Sequence, residues 1–227
     1  MSQNPEGGFY MFLPLVFKGE GMRCLVIGGG EVAWRKVELL VAAGCDVAVI
    51  APRVHESIRA AGERNDLRWI AREYAPGDCR GYHLVVAATA TREVNRAVFD
   101  EASSICIPVN VVDDPELCTV HFPAVWRQGP LTMAVSTGGG APFMASAVRD
   151  RISLHGPSLA RWVEIAAKFR SVVRSEITER DEKNRLYRQF VDAIQPGNPP
   201  DPPESKMLSD WIVWLERLGL PVINKNA

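Results

Sequence analysis

Short apolar runs alternate with amphipathic stretches through the first half of the chain. The pattern predicts strands at 22–27, 46–50, 67–70, 83–89 and 107–112, and helices at 32–43, 54–64 and 93–102. Continuous apolar strands separated by helices are typical of a parallel sheet that is buried on both faces and joined by right-handed crossovers. We therefore predict an α/β fold built on a doubly wound parallel sheet.

The alternation stops after Pro115. Two strand-like pieces at 121–126 and 130–137 flank the sequence Arg-Gln-Gly and predict an antiparallel hairpin. Helices are predicted at 142–154, 157–194 and 205–218, with a proline-rich connector at 195–203 that cannot be helical. The last helix ends at Gly219, and one face carries Leu208, Trp211, Ile212, Leu215 and Leu218. This apolar stripe predicts docking against the body of the protein or against a second subunit.

Composition narrows the class of protein. The chain has 227 residues, 47% of them hydrophobic, and a formal net charge of -1, which suits a globular protein and not a basic nucleic-acid binder. No apolar run approaches the ~20 residues that cross a bilayer. Because the amino-terminal sequence has no apolar signal core, we expect a cytoplasmic protein. Five cysteines without a C-x-x-C pair and four well-separated histidines predict neither a disulfide framework nor a resident metal.

The sequence Val-Ile-Gly-Gly-Gly-Glu-Val-Ala joins the first predicted strand to the first predicted helix. Gly28, Gly30 and Ala33 occupy the G-x-G-x-x-A positions of a dinucleotide-binding loop. Gly28 permits a tight turn, Gly30 leaves room for a pyrophosphate, and Ala33 lets the helix pack closely on the strand. A glycine-rich turn without a ligand is the alternative, but the flanking strand and helix favour a Rossmann-type domain.

The acidic residue that usually binds the ribose is missing after the second strand, where the chain reads Ala-Pro-Arg. Two roles are open to Arg53, which could contact a 2′-phosphate or face solvent, so these residues alone do not separate NAD from NADP. In either case we expect the backbone at Pro52 and Arg53 to border the adenosine. Gly29 and Thr89 complete the cofactor site predicted at this edge of the sheet.

Asp113 and Asp114 follow the strand predicted at 107–112, at the edge where open α/β sheets bind ligands. Because successive strand side chains face opposite ways, we expect only one of the two carboxylates to face the cleft. The alternative role for the pair is to cap the turn before Pro115.

A second glycine loop precedes the helix predicted to begin at Pro142. Amides of such loops bind carboxylates or phosphates, so we assign Ser136, Thr137, Gly138 and Gly139 to the substrate. Residues 145–175 contain six basic and two acidic side chains, a local charge of +4. An ordinary solvated helix face is the alternative, but beside the glycine loop this charge suits an acidic small molecule.

Five motifs together resemble one family. They are Phe-Leu-Pro-Leu-Val-Phe with the first glycine loop, Ala-Pro-Arg, Asn-Val-Val-Asp-Asp-Pro-Glu-Leu-Cys, Phe-Pro-Ala-Val, and Ala-Val-Ser-Thr-Gly-Gly-Gly-Ala-Pro. In this order they resemble precorrin-2 dehydrogenase, the N-terminal module of siroheme synthases, which often also acts as a sirohydrochlorin ferrochelatase. The resemblance covers about residues 9–155.

The resemblance implies a homodimer with three parts: a Rossmann domain at 1–115, a dimerisation segment at 116–150 and a helical C-terminal domain at 151–227. It implies hydride transfer from precorrin-2 to NAD, giving sirohydrochlorin, and in bifunctional members the insertion of ferrous iron. The tetrapyrrole substrate of the family carries eight carboxylates, which would give the basic segment and the second glycine loop a role.

The resemblance also implies roles for single residues. Asp113 corresponds to the essential aspartate of the family, and Glu31, Val32, Pro52 and Arg53 match its cofactor-contact positions. Ala141 replaces a serine whose hydroxyl could cap the next helix. Val120 and His121 replace an aromatic residue, and His121 could carry a proton or simply pack. A non-catalytic nicotinamide-sensing Rossmann module is the alternative function, since a sensor needs the first glycine loop but has no use for Asp113.

Overall fold

The computed structural model describes residues 12–194 and 199–218, which form two compact units. The first unit contains residues 12–122 and 138–140, and the second contains the other described residues. None of the helices in the described part of the chain combines the length and the apolar character needed to cross a bilayer.

The first unit is a parallel sheet flanked by helices. Its strands are β1 (Arg23–Ile27), β2 (Asp46–Ile50), β3 (Arg68–Ile70), β4 (Leu84–Ala87) and β5 (Val109–Val111), and its helices are α1 (Glu31–Ala42), α2 (Glu56–Glu63) and α3 (Arg92–Ser104). The strands lie in the order β3-β2-β1-β4-β5, and all neighbours are parallel. Strand order reverses beside β1, as in a doubly wound fold, so the predicted fold class is confirmed.

The apolar strands form this unit's core on both faces of the sheet. In β1, Cys24 to Ile27 are at most 1% exposed, because Cys24 and Val26 face one helical layer while Leu25 and Ile27 face the other. Helices α1 and α2 pack on the first face, and α3 packs on the second. The burial of both faces explains why β1, β2 and β4 carry continuous apolar runs and do not alternate apolar with polar residues.

The second unit begins with the predicted antiparallel hairpin. Strands β6 (Ala124–Gln128) and β7 (Leu131–Val135) pair with Gln128 opposite Leu131. Arg127 and Gln128, which were predicted to lie in the connection, therefore belong to β6, and the turn consists of Gly129 and Pro130. Gly129 has a φ of +51°, a left-handed conformation that glycine adopts without strain.

Four helices complete this unit: α4 (Pro142–Ser153), α5 (Gly156–Glu176), α6 (Arg180–Asp192) and α7 (Leu208–Arg217). The prediction of one helix over 157–194 is wrong, because the chain is extended at Ile177 and Glu179. The interruption lets Ile177 pack into the helical core and lets Phe190 of α6 stack on Phe169 of α5, with ring centroids 5.0 Å apart. Acidic residues in the first turn of α6 favour a new helix start there.

Helix α7 buries its predicted stripe within the second unit. Leu208, Trp211 and Leu215 are at most 5% exposed and pack against α5 and α6, so the stripe docks on the body of this chain. The indole of Trp214 donates a hydrogen bond of 2.8 Å to the carbonyl of Asp201, which fixes the described part of the proline-rich connector. Gly219, the predicted end of the helix, and residues 195–198 lie outside the described residues.

In the first unit, the carboxylate of Glu101 ties the loop before β4 to α3. It accepts hydrogen bonds from the Tyr74 hydroxyl and from the amides of Gly77 and Cys79, the last two at 2.9 Å. Burial alone would raise the pKa of Glu101, but these hydrogen bonds outweigh it and hold the pKa below its usual value. The ionised carboxylate is therefore part of the folded structure.

Replacing Glu101 by Gln should lower the free energy of unfolding at neutral pH by about 1–3 kcal/mol, because its three hydrogen-bond donors lose an ionised acceptor. In the native chain this stabilisation is fully present above the ordinary glutamate pKa of 4.5 and disappears as the pH falls through the lower folded pKa. Urea unfolding at pH 7 and at pH 3 should therefore show a larger acid-induced loss for the native chain than for the variant. Glu63→Gln, at an exposed position, should keep the native pH dependence, and an equal loss in Glu101→Gln would contradict the assignment.

Candidate functional site

The first glycine loop lies in direct backbone contact with the segments that follow β2 and β4. A Cβ atom on Gly28 would lie 2.3 Å from the carbonyl oxygen of Ala88, and one on Gly29 would lie 2.1 Å from that of Arg53. Gly28 also has a φ of +125°, which side chains rarely allow. The structure thus brings three of the predicted segments together at the carboxyl edge of the sheet.

Gly30 differs from its neighbours because a Cβ atom there would meet nothing within 4 Å. It precedes α1 at the N-cap position, and no side chain caps the amides of the first turn. Open space in front of uncapped amides fits the pyrophosphate of a dinucleotide, since those amides donate hydrogen bonds and carry the positive end of the helix dipole.

Glu31 and Val32, the predicted cofactor contacts on α1, are both exposed in its first turn. The Glu31 carboxylate forms an ion pair with Arg35 at 2.5 Å, one helical turn further on. A carboxylate beside a pyrophosphate would repel it, so the guanidinium offsets an unfavourable charge. Sequence reasoning missed Arg35, although the i, i+4 spacing of opposite charges was a usable signal.

The segment after β2 is held against the glycine loop by its backbone. The amide of His55 donates a hydrogen bond of 2.6 Å to the carbonyl of Gly29, and the carbonyl of Arg53 packs beside the same residue. The side chains of Pro52 and Arg53 are exposed. Within the described part of the chain Arg53 forms no ion pair, which leaves its guanidinium available to a ligand.

Thr89, the predicted cofactor residue after β4, is clamped by a buried amide. Asn95 of α3 accepts a hydrogen bond from the Thr89 amide at 3.1 Å and donates one to the Thr89 carbonyl at 3.0 Å. Only 7% of Asn95 is exposed. The sequence analysis did not identify Asn95, although a polar residue on the apolar face of a predicted helix was a usable signal. The clamp fixes the backbone next to Ala88, where the glycine loop makes its closest contact.

Asp113 lies in a turn directly after β5, with its side chain exposed and a φ of +60°. The turn is closed by Cys118, whose Sγ accepts a hydrogen bond from the Val111 amide at 3.2 Å and lies 3.3 Å from the carbonyl oxygen of Asp114. Burial raises the pKa of the Cys118 thiol, which keeps it protonated as a donor. The sequence analysis predicted neither a disulfide nor a metal for the cysteines and did not identify this role of Cys118.

The two neighbouring carboxylates have different surroundings. Asp114 lies 3.3 Å from Arg92, and its side chain is 19% exposed. Asp113 forms no ion pair with any residue in the described ranges and is open to solvent. Of the two, Asp113 is the carboxylate available to a ligand.

Two residues of the second glycine loop, Gly138 and Gly139, belong to the first unit and lie against an aromatic pair. A Cβ atom on Gly138 would lie 2.7 Å from the ring of Phe12, and one on Gly139 would lie 3.5 Å from the ring of His121. Phe12 and His121 are in edge-to-face contact, with centroids 4.9 Å apart. Burial lowers the pKa of His121, so the packed imidazole favours its neutral form.

Ser136 and Thr137 belong to the second unit, next to the start of α4. The Thr137 hydroxyl accepts a hydrogen bond of 3.2 Å from the amide of Ala141. The Thr137 hydroxyl therefore binds the backbone at the start of α4. It does so at Ala141, the position at which the family that the sequence resembles has a serine. In the basic segment of the same unit, Arg149 pairs with Asp150 and Arg161 pairs with Asp201. The other four basic side chains of this segment are exposed.

No group of three or more His, Cys, Asp or Glu side chains within residues 12–194 and 199–218 is arranged to hold a metal ion. The strand order, the glycine loop and the open space at Gly30 instead define a Rossmann-type nucleotide-binding protein. A model of putative NAD(P)-binding domains matches residues 15–124, and a model of the central part of sirohaem biosynthesis proteins matches residues 128–153.

Siroheme synthases are among the most similar relatives. That of Methylobacillus flagellatus is 42% identical over 183 residues, which are 80% of this chain and 39% of the relative. That of Pseudomonas putida is 42% identical over 165 residues, 72% of this chain and 36% of the relative. The chain therefore belongs to the siroheme synthase family, and it spans about two fifths of the length of these relatives.

The solved structure of SirC, a precorrin-2 dehydrogenase, has the same fold. It superposes with a TM-score of 0.69 at 20% sequence identity and covers 92% of this chain and 99% of its own. The similarity in fold therefore extends beyond the two segments that the family models match.

Replacing Gly30 by Ala should weaken the binding of NAD at least tenfold, because the added methyl group would occupy the space in front of the helix amides. The fold should survive, since no atom lies within 4 Å of the new Cβ and an alanine N-cap costs only about 1 kcal/mol. Calorimetric titration with NAD and thermal unfolding measure the two effects. Gly62→Ala, which meets only ordinary contacts in α2, is the control, and an unchanged NAD affinity in Gly30→Ala would remove the loop from the cofactor site.

Proposed function

We propose that this protein oxidises precorrin-2 to sirohydrochlorin in siroheme biosynthesis, with NAD as the hydride acceptor. The observation that carries the proposal is the exposed, unpaired carboxylate of Asp113 at the edge of the sheet that bears the dinucleotide loop. Loss of a hydride from the substrate leaves a proton that a base must accept, and an ionised carboxylate within reach can do so. NAD supplies the redox chemistry, while the protein binds and orients it.

The roles of the other residues follow from their surroundings. The backbone amides of the first glycine loop and of the first turn of α1 would hold the pyrophosphate; these residues are Gly28, Gly29, Gly30, Glu31 and Val32. Pro52, Arg53 and Thr89 would border the rest of the cofactor. Ser136, Thr137, Gly138 and Gly139 would receive carboxylates of the tetrapyrrole through amides and hydroxyls. The relatives named siroheme synthase and precorrin-2 dehydrogenase support this substrate class.

Asp113→Asn should reduce the oxidation of precorrin-2 at least a hundredfold, because an amide cannot accept the proton. Asparagine suits the left-handed backbone at this position, so the turn should be kept. The measurement is the appearance of NADH absorbance with precorrin-2 and NAD, together with the affinity for NAD, which should not change.

Asp114→Asn is the matched control for this experiment. It alters the neighbouring carboxylate, which is paired with Arg92, and should retain most of the activity. Native turnover in Asp113→Asn would remove Asp113 from its role. Tight NAD binding by the native chain without any turnover of precorrin-2 would instead favour the nicotinamide-sensing module.

Insertion of ferrous iron into sirohydrochlorin is the second candidate activity, with the iron as a substrate. The same exposed carboxylate could accept the two pyrrole protons that metal insertion releases one after the other, passing the first to water before it takes the second. Supplying sirohydrochlorin and ferrous iron without NAD tests this step alone. Insertion no faster than the uncatalysed background would restrict the protein to oxidation.

We further propose that the protein is a cytoplasmic homodimer assembled through the second unit. Met144, Val148 and Ile152 follow one another at four-residue intervals on α4 and are 39–46% exposed, so they form an apolar stripe. The adjacent hairpin of β6 and β7 packs on α4, but within the described part of the chain it has only two strands, so both of its edges lack a neighbouring strand. A second copy of the chain would cover the stripe and extend or shield the hairpin.

Val148→Glu places a charge in the middle of this stripe and should shift the protein from dimer to monomer. Light scattering coupled to size-exclusion chromatography measures the change. Ala167→Glu, an equal charge at an exposed position on α5, should leave the dimer intact. A dimer that persists in Val148→Glu would place the interface elsewhere.

A further inference from the structure

Lys36 of α1 is a half-buried cation that none of the roles above uses. Its Nζ atom lies 4.4 Å from the centroid of the Phe122 ring. Within the described part of the chain the ammonium donates no hydrogen bond and forms no ion pair. Most lysine ammonium groups remain in water, so one that is held against an aromatic face by neither a hydrogen bond nor an ion pair needs an explanation.

The surroundings of Lys36 place it on the same side of the sheet as the Asp113 turn. Phe122 packs on the sheet face that carries α1, together with Val112, the residue before Asp113. Burial lowers the pKa of Lys36, while the nearby carboxylate of Asp113 acts in the opposite direction. The ammonium therefore lies in the electrostatic field of the Asp113 turn, on the side of α1.

The neighbouring cation does not share this position. The side chain of Arg35 is exposed and forms an ion pair with Glu31. Lys36 differs because a ring contact holds its ammonium without consuming any of its three N–H donors. A partly desolvated cation with free donors gains more from an incoming carboxylate than a fully hydrated one does.

We propose that Lys36 binds a carboxylate of the substrate and thereby positions the tetrapyrrole ring at Asp113. The inference rests on the proposed function, because it assigns the polycarboxylate substrate class to that site. Phe122 fixes the ammonium, and Asp113 receives the proton from the ring that Lys36 has anchored. Other groups would bind the remaining carboxylates of the substrate. Lys36 therefore determines how the ring is positioned and contributes only part of the binding affinity.

Three variants separate this role from a structural one. Lys36→Met keeps the apolar stem and removes the charge, Lys36→Arg keeps the charge, and Lys18→Met removes an exposed lysine that is paired with Glu20. Uroporphyrin, a tetrapyrrole with eight carboxylates, is the binding probe, and its octamethyl ester is the uncharged comparison. Steady-state oxidation of precorrin-2 gives KM and kcat, and calorimetry gives the affinity for NAD.

In Lys36→Met we expect the Kd for uroporphyrin and the KM for precorrin-2 to rise about tenfold, a loss of roughly 1.4 kcal/mol. The value of kcat should stay within about threefold, and the affinity for NAD should not change. Lys36→Arg should recover most of the binding, Lys18→Met should match the native chain, and the ester should not distinguish the variants.

An unchanged Kd for uroporphyrin in a folded Lys36→Met would overturn the proposal. So would a fall in kcat with KM and Kd unchanged, because that result would make Lys36 a modulator of Asp113 and not a substrate anchor. If Lys36→Met does not fold, Lys36→Gln provides the same comparison. Failure of the proposed function has a different signature: the native chain would not reduce NAD with precorrin-2, while its binding of uroporphyrin could still depend on Lys36.

Discussion

The contact of the first glycine loop with two other backbone segments determines the arrangement of the whole candidate site. Gly28 and Gly29 approach the carbonyl oxygens of Ala88 and Arg53 more closely than any side chain would permit. Hydrogen bonds at the strand ends, from Gly28 to Ile50 and from Ala88 to Ile27, hold the same three segments together at 3.0 and 2.7 Å. The ends of β1, β2 and β4 therefore form one rigid edge, and the cofactor positions on them can move only together.

The end of β5, where Asp113 lies, is fixed by a different set of interactions. A left-handed backbone costs on the order of 1 kcal/mol for a residue with a side chain, although aspartate tolerates it better than most. Against this cost, Cys118 bonds to the Val111 amide, and the buried Asn110 donates a hydrogen bond of 2.9 Å to the carbonyl of Val120. Each such bond contributes about 0.5–1.5 kcal/mol, so together they hold Asp113 in place. The carboxylate is exposed, but its backbone is not free.

The sequence was sufficient for features whose cause is local or periodic. Continuous apolar runs predicted the parallel sheet because burial on both faces favours apolar residues at nearly every strand position. The apolar stripe on α7 likewise predicted that this helix packs against another surface. The break between α5 and α6 was not predicted: the acidic residues at the start of α6 were a local signal for it, but the extended backbone at Ile177 depends on packing against the core that contains Phe169. Lys36 was missed for the same kind of reason, because its environment comes from Phe122, which is distant in the chain.

The left-handed conformation at Asp113 also limits how this position can vary. Asparagine and glycine accept such a backbone easily, whereas glutamate would retain the charge at a conformational cost. Lengthening the acid by one methylene is thus disfavoured by the main chain, independently of any ligand. The distance over which this group can act is set by the turn, so an engineered site with a longer reach would require a redesigned loop and not a single exchange.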